Sequence, residues 1–252
     1  MLYSKHKNIK RQVHEDTTRH YKTLTISIAA FVAVIGAKAA VVNGSFETGD
    51  YTGWETFYQT SLETAASGVS PTHGNYFAYL AAPDGGDGNA SALETFLGVS
   101  DSALQGIKNG YTDFTSGSAI RTTFSASAGS VLTFDSRFLT DEDLPSSWDF
   151  AFYTLNYTPS SLGDTETSTF SVLGAYLVGG YQGTPWSSTS IILPNSGSYT
   201  LGFGVLQAGD NSVSSGLAVD NVSVVPEPST IIAGALLLLP LAGSAIRKLR
   251  KA

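Results

Sequence analysis

The densest group of side chains that could perform chemistry is the acidic run Asp141-Glu142-Asp143. Two carboxyl groups can hydrolyse a glycosidic bond when one acts as the acid and the other as base or nucleophile. Three adjacent acids are also typical of a solvated loop or a weak cation site. A secreted hydrolase that uses Asp141–Asp143 is therefore the least favoured of the hypotheses considered below.

Other catalytic routes lack the residues that they need. The chain has no cysteine, which excludes thiolate nucleophiles, disulfides and zinc–thiolate sites. His73 is the only histidine downstream of residue 39, so a Ser-His-Asp triad would have to use it. The nucleophile motif Gly-x-Ser-x-Gly is also missing from the sequence. We therefore predict that this protein is not an enzyme.

Aromatic side chains offer a different chemistry, because flat rings can stack on sugars. The candidate ligand contacts are Trp54, Trp148 and Trp186, with Tyr58, Tyr176 and Tyr181 as further flat surfaces. A tryptophan of a β-sandwich is more often part of the core than of a ligand site. Both readings stay open for each tryptophan at this point.

The N-terminal segment has the layout of a secretory signal peptide. An uncharged, mostly apolar run covers residues 24–37, Arg19 and Lys22 precede it, and Ala37-Lys38-Ala39 places small residues at a cleavage site. We expect residues 1–39 to form a signal peptide with a long basic beginning, and the mature chain to start near Ala40. An uncleaved membrane anchor is the alternative.

The C-terminal segment combines three features in a fixed order. Pro226-Glu227-Pro228 is followed by the uncharged run 230–246 and then by the basic tail 247–251. At 1.5 Å per residue, a helix over 230–246 would span about 25 Å, the lower limit for crossing a bilayer. The basic tail would stay on the cytoplasmic side, which places the middle of the chain outside the cytoplasm.

Residues 225–252 therefore resemble the PEP-CTERM sorting signal of Gram-negative bacteria. The resemblance implies an exosortase as processing partner, transient anchoring in the inner membrane, and final delivery to the cell envelope, the outer surface or an exopolysaccharide-rich extracellular matrix. A permanent single-span anchor with an incidental Pro-Glu-Pro motif is the alternative.

Charge separates the middle of the chain from both ends. Residues 40–229 contain three basic residues, Lys108, Arg121 and Arg137, and 19 acidic residues, which gives a net charge of −16. Nucleic-acid binding needs clustered Lys and Arg to displace counterions from phosphates. We therefore exclude DNA and RNA as partners.

The middle reads as short alternating runs that are interrupted by Gly, Ser, Asn, Asp and Pro, the pattern of an all-β sandwich or barrel. The predicted strands are 75–81, 119–126, 130–138, 149–156, 169–173, 199–205 and 217–225. One helix is predicted at Asp101–Ile107, with Ser100 as its N-cap. A single domain over residues 40–224 is the simplest reading.

Two segments at the ends of this domain carry a second resemblance. The run Asn43-Gly44-Ser45-Phe46-Glu47, with Gly53-Trp54 behind it, and the run 217–225 (LAVDNVSVV) resemble the opening and closing strands of carbohydrate-binding-module-like jelly rolls. The resemblance implies a single jelly-roll-like antiparallel β-sandwich whose first and last strands meet. It also implies a structural Ca²⁺ held by Glu47, Asp220 and Asn43, since calcium prefers oxygen ligands. The alternative is that Asp220 bonds backbone amides or caps a turn.

These observations favour an exported surface or matrix protein with a structural or adhesive role and no required cofactor. The alternative function is a carbohydrate-binding module that grips exopolysaccharide through its aromatic side chains.

Overall fold

The computed structural model describes residues 40–82, 89–108, 113–143, 148–209 and 213–226, all of which belong to one compact unit. The predicted signal peptide, the predicted helix 230–246 and the motif residues Glu227 and Pro228 lie outside the described residues. Pro226 is exposed directly after the last strand. Within the described ranges, no helix has the length and apolar character needed to cross a membrane.

Strands dominate the described part of the chain. In chain order the elements are β1 (Glu55–Phe57), β2 (Thr60–Glu63), β3 (Phe77–Ala82), α1 (Ala90–Leu97), α2 (Asp101–Ile107), β4 (Phe114–Ala126), β5 (Val131–Thr140), β6 (Phe150–Leu155), β7 (Thr158–Asp164), β8 (Ser171–Val172), β9 (Gln182–Gly183), β10 (Ser187–Ile192), β11 (Gly197–Ala208) and β12 (Ser215–Val225). A 3-10 helix, Ala65–Ser67, lies between β2 and β3.

The strands form two sheets whose pairings are all antiparallel. Sheet A has the order β1-β4-β11-β6-β7. Sheet B has the order β2-β3-β12-β5-β9-β8. Strand β10 also pairs with β5, along residues 131–136, whereas β9 pairs with Leu139 and Thr140. The predicted all-β antiparallel sandwich is confirmed.

The core lies between the two sheets because alternate side chains of each strand point inward. Leu132, Phe134 and Phe138 of β5 face the core, as their spacing predicts, and meet Phe203 and Val205 of β11. The ring centroids of Phe134 and Phe203 lie 4.9 Å apart in an edge-to-face contact. These rings join the two sheets.

The two helices cover the outer face of sheet A. Leu93 and Leu97 of α1 and Leu104 of α2 pack with Phe150 and Phe152 of β6. This cover explains why residues 149–156 are apolar on both faces. The Ser100 hydroxyl caps α2 by accepting from Ala103 N at 3.3 Å, as predicted, whereas α1 was not predicted.

The beginning of the domain closes onto its last strand. Gly44 O accepts from Val222 N at 2.8 Å, and a Cβ on Gly44 would lie 1.9 Å from Val222 O. Only glycine allows this approach. The ends therefore meet as the jelly-roll resemblance implies, and β12 reaches Val225, one residue past the expected domain boundary. The predicted strand 169–173 is reduced to Ser171–Val172.

Candidate functional site

The outer face of sheet B is covered by a long excursion of the chain rather than by helices. Phe77 and Tyr79 of β3, Ala218 of β12 and Leu139 of β5 form a small apolar cluster on this face. Partly buried side chains that follow β7 in the sequence pack on it: Leu173, Ala175, Leu177 and Trp186. We call residues 171–183, which contain β8 and β9, the aromatic hairpin.

Backbone hydrogen bonds hold the aromatic hairpin on the sandwich. Tyr176 N donates to Ser67 O at 2.7 Å, and Ala175 N donates to Gly180 O at 3.0 Å. The Asp141 carboxylate accepts hydrogen bonds from two more backbone amides: Gly179 N donates to Oδ2 at 3.0 Å, and Tyr181 N donates to Oδ1 at 2.7 Å. Both oxygens of Asp141 therefore position a loop.

Two close contacts fix the tip of the hairpin. The Tyr79 hydroxyl donates to Val178 O. Gly179 has a φ of 77°, and a Cβ at this position would lie 2.7 Å from the carbonyl carbon of Ser215. The tip thus requires glycine and lies against β12.

The aromatic hairpin exposes large side chains although its backbone is held. Tyr176 is 89% exposed and Tyr181 is 57% exposed. Val172 and Val178, at 68% and 48%, continue the exposed surface. Side chains of this size gain no stability from the core while they face water, so the arrangement suits contact with another molecule.

The structure separates the three tryptophans that the sequence left open. Trp54 is only 7% exposed, its ring packs against Phe46 and Phe203, and its indole N–H donates to Asn43 O at 3.2 Å. Trp54 is therefore a core residue, and its prediction as a ligand contact is wrong, because neither ring face is open to solvent.

Trp148 and Trp186 occupy different sites. Trp148 is 37% exposed, and the Lys108 ammonium lies 5.5 Å from its ring centroid. Trp186 is half-buried on the outer face of sheet B, where it meets Phe77 edge-to-face and donates its indole N–H to Ser70 O at 3.0 Å. Of the three, Trp186 alone lies next to the aromatic hairpin.

The candidate calcium ligands Glu47 and Asp220 hold one loop from two sides. Asp220 Oδ2 accepts from Thr72 N and His73 N, both at 2.8 Å, and from the Thr72 hydroxyl at 3.0 Å. Glu47 Oε1 accepts from Asn75 N and Tyr76 N, both at 2.8 Å. The exposed loop 72–75 is thus clamped between the first turn and the last strand.

The two clamping carboxylates differ in their electrostatics. The Tyr76 backbone N–H, aided by the Asn75 amides, holds the pKa of Glu47 below its usual value. Burial raises the pKa of Asp220, and the N–H donors of His73 and Asn221 act against that effect. Ionised Asp220 therefore contributes less to stability than its hydrogen bonds alone suggest.

The calcium prediction depends on whether the candidate ligands are already bonded within the protein. Asn43, the third candidate ligand, uses its amide within its own turn, donating to Asp50 O at 2.8 Å and accepting from Thr48 N at 3.2 Å. Among the described residues, no three His, Cys, Asp or Glu side chains cluster as a metal site. Four to six further oxygens would have to come from carbonyls or water. The structural calcium ion stays a prediction.

The comparison with known proteins finds similarity to solved structures at low sequence identity. No protein-family model and no curated protein matches the sequence. Solved structures similar to this chain include the carbohydrate-binding module TmCBM61 with β-1,4-galactotriose (TM-score 0.42, 11% identity, 76% of this chain and 100% of the other). The mannan-binding module TmCBM27 (0.37, 14%, 75% and 95%) and the K1 adhesin domain of Lys-gingipain from Porphyromonas gingivalis W83 (0.40, 16%, 76% and 99%) are also similar.

Sequence reasoning missed the residues that hold the aromatic hairpin. The run Asp141–Asp143 is typical of a solvated loop or a weak cation site, whereas Asp141 accepts from amides about 40 positions further along the chain. The signal that could have found the hairpin is the series of glycines between exposed aromatics in 174–181, which favours a tight turn with fixed shape.

Proposed function

We propose that this chain is an exported, non-catalytic surface or matrix protein whose β-sandwich adheres to a polysaccharide through the aromatic hairpin. The observation that carries the proposal is the combination of a held backbone with exposed rings. Asp141 fixes the hairpin through two amides, while Tyr176 and Tyr181 stay open to solvent. A surface that is ordered before binding loses little conformational entropy on binding.

The chemistry of tyrosine supports a sugar as the contact. Its ring stacks on the apolar face of a pyranose, and its hydroxyl can bond the sugar's own hydroxyls. Tyrosine also loses few rotamers when it is immobilised. Both oxygens of the Asp141 carboxylate are engaged in loop positioning, which supports a binding role over hydrolysis.

Replacing both Tyr176 and Tyr181 by alanine should weaken binding to the native exopolysaccharide at least tenfold, since an aromatic side chain that stacks on a nucleic-acid base contributes about 1–3 kcal/mol and stacking on a sugar ring buries a similar flat surface. Affinity electrophoresis or isothermal titration calorimetry of the full-length protein measures this. Tyr157→Ala is the matched control, because Tyr157 is 55% exposed but lies at the β6–β7 turn of sheet A. Equal loss in the control, or no binding of any glycan by the unmodified protein, would leave only a structural role without glycan contact.

We also propose that the two ends of the chain determine its location. The support is the signal-peptide pattern of residues 1–39 and the Pro226-Glu227-Pro228 motif with its apolar run and basic tail. An exosortase is the processing partner in this proposal, and the inner membrane holds the protein through residues 230–246 until processing.

Intact mass of the protein recovered from cells tests both ends at once. We expect a chain that begins near Ala40 and ends close to the Pro-Glu-Pro motif, with any attached glycan or lipid visible as added mass. Replacing Pro226, Glu227 and Pro228 by alanine should keep the tail attached while the signal peptide is still removed. The unprocessed polypeptide in the cytosol, with none at the envelope, would contradict the proposal.

A further inference from the structure

The acidic middle of the chain contains three basic residues, and two of them are neutralised within the fold. Lys108 Nζ lies 2.9 Å from Glu166 Oε2 and 3.9 Å from Asp164 Oδ2. Arg121 pairs with Glu55 at 2.7 Å. Arg137 forms no ion pair with any described residue, and its buried Nε has no hydrogen-bond partner there. Arg137 therefore differs from the other two.

Arg137 lies on the same outer face of sheet B as the aromatic hairpin. It pairs with Ala218 of β12 on one side. On the other side, Gly183 pairs with Leu139 and Ser187 pairs with Ser136, so the segment 184–186, which ends in Trp186, passes Arg137. Trp186 packs on the cluster that contains Ala218, the ladder partner of Arg137, and Leu139, two residues further along β5. A half-buried guanidinium and a half-buried indole are therefore neighbours.

The acid nearest to Arg137 along β5 is committed to other donors. Asp135 Oδ1 accepts from the Ser188 hydroxyl at 2.5 Å, and Asp135 Oδ2 accepts from Asn221 Nδ2 at 3.1 Å. Asp220, which pairs with Asp135 in the ladder, holds the amides of Thr72 and His73. Asp135 and Asp220 are thus both engaged by neutral donors.

We propose that Arg137 and Trp186 form a subsite for a carboxylate-bearing sugar, so that the polysaccharide bound by this face contains uronic acid units. The inference rests on the proposed function and names the ligand class of the same face. Its basis is an unpaired guanidinium beside an indole ring in a domain whose other cations are paired.

The two side chains would divide the recognition between them. A guanidinium presents parallel N–H donors that match a carboxylate in a bidentate contact. The Trp186 ring is fixed by Phe77 and by Ser70 O, so its free surface can support the sugar ring. The strongly acidic domain repels a polyanion at long range, which makes the contact depend on this one cation.

Uronate polymers and their methyl esters test the inference, because the ester keeps the sugar backbone and removes the charge. The probes are polygalacturonate, alginate and their methyl-esterified forms, with the full-length protein in isothermal titration calorimetry. We expect at least one acid form to bind about ten times more tightly than its ester, since a guanidinium bonds a charged carboxylate more strongly than a neutral ester. Arg137→Gln should abolish this preference.

The matched control is Arg121→Gln, which removes a cation of sheet A that is already paired with Glu55 and should keep the preference. Arg137→Lys keeps the charge without the bidentate geometry and should retain only part of it. Equal binding of acid and ester forms, or a preference that survives Arg137→Gln, would overturn the subsite while the Tyr176 and Tyr181 contact stands. Failure of every acid and ester form to bind, with binding of a neutral glycan retained, would also overturn it. Loss of binding to all glycans would overturn the proposed function itself.

Discussion

Replacing Trp54 by alanine should lower the free energy of unfolding by about 4 kcal/mol and the melting temperature by about 10 °C. The ring is 7% exposed between Phe46 and Phe203, so its removal leaves a cavity between the first turn and β11. The indole N–H bond to Asn43 O, which fixes that turn, is lost as well. Chemical denaturation and differential scanning calorimetry measure both quantities.

Trp54→Phe separates packing from hydrogen bonding. It retains a ring between the same neighbours and should cost much less than the alanine variant. Glycan affinity, measured well below the melting temperature, should be unchanged in both variants because Trp54 does not reach the surface. A Trp54→Ala protein of normal stability that has lost glycan binding would show that the indole is a ligand contact after all.

Asp220→Ala should lower the free energy of unfolding by about 3 kcal/mol at acid pH. The carboxyl group is fully buried, and its loss removes the partners of Thr72 N and His73 N. Removing one partner of a buried hydrogen-bonded pair costs about 1–3 kcal/mol, and more for charged groups. Amides of residues 72 and 73 should exchange faster with deuterium, while those of β5 and β11 should not.

The pH dependence of the Asp220 effect has a definite sign. Burial raises the pKa of Asp220 in the folded protein, so its contribution is fully present below the unfolded value of about 3.9. That contribution decreases as the pH rises through the folded pKa. The difference in stability between the wild type and Asp220→Ala should therefore be smaller at pH 7 than at pH 3.5. A larger difference at pH 7 would mean that the amide donors outweigh burial.

The same calorimetry checks the calcium prediction. A calcium ion held by Glu47 and Asp220 would raise the melting temperature of the wild type on addition of CaCl₂, since a ligand of the folded state stabilises it. The shift would be lost in Asp220→Ala. If Glu47 and Asp220 bond only the amides of loop 72–75, the melting temperature should be the same with CaCl₂ and with a chelator.

Local sequence patterns were sufficient for the main elements of the sandwich. Alternation located β5 and β11, apolar runs located β6 and β12, and Ser100 marked the start of α2 because its hydroxyl caps the helix. Helix α1 was missed because its eight residues show little periodicity, although Asn89 before it is a residue type that favours the N-cap. The strand predicted at 169–173 was too long because only Ser171 and Val172 pair with β9.

The candidate site depended on contacts that a linear pattern does not encode. Trp54 and Trp186 are the same residue type in similar β-rich surroundings, and only the position of the ring relative to the sheets separates core from surface. Asp141 acquires its role from amides at positions 179 and 181. The sequence alone does not single out Arg137, because its role in the proposed subsite depends on the nearby carboxylates being bonded to other donors.

The bond between Gly44 and Val222 also sets an order of events. Gly44 can bond Val222 only after almost 180 further residues have been synthesised. The free-energy barrier to forming this contact therefore includes the ordering of a very long loop. If the chain is exported as proposed, its N-terminal end enters the export channel first, and the Gly44–Val222 contact cannot form until residue 222 has also crossed. The β-sandwich would then complete its folding only after export of the whole domain.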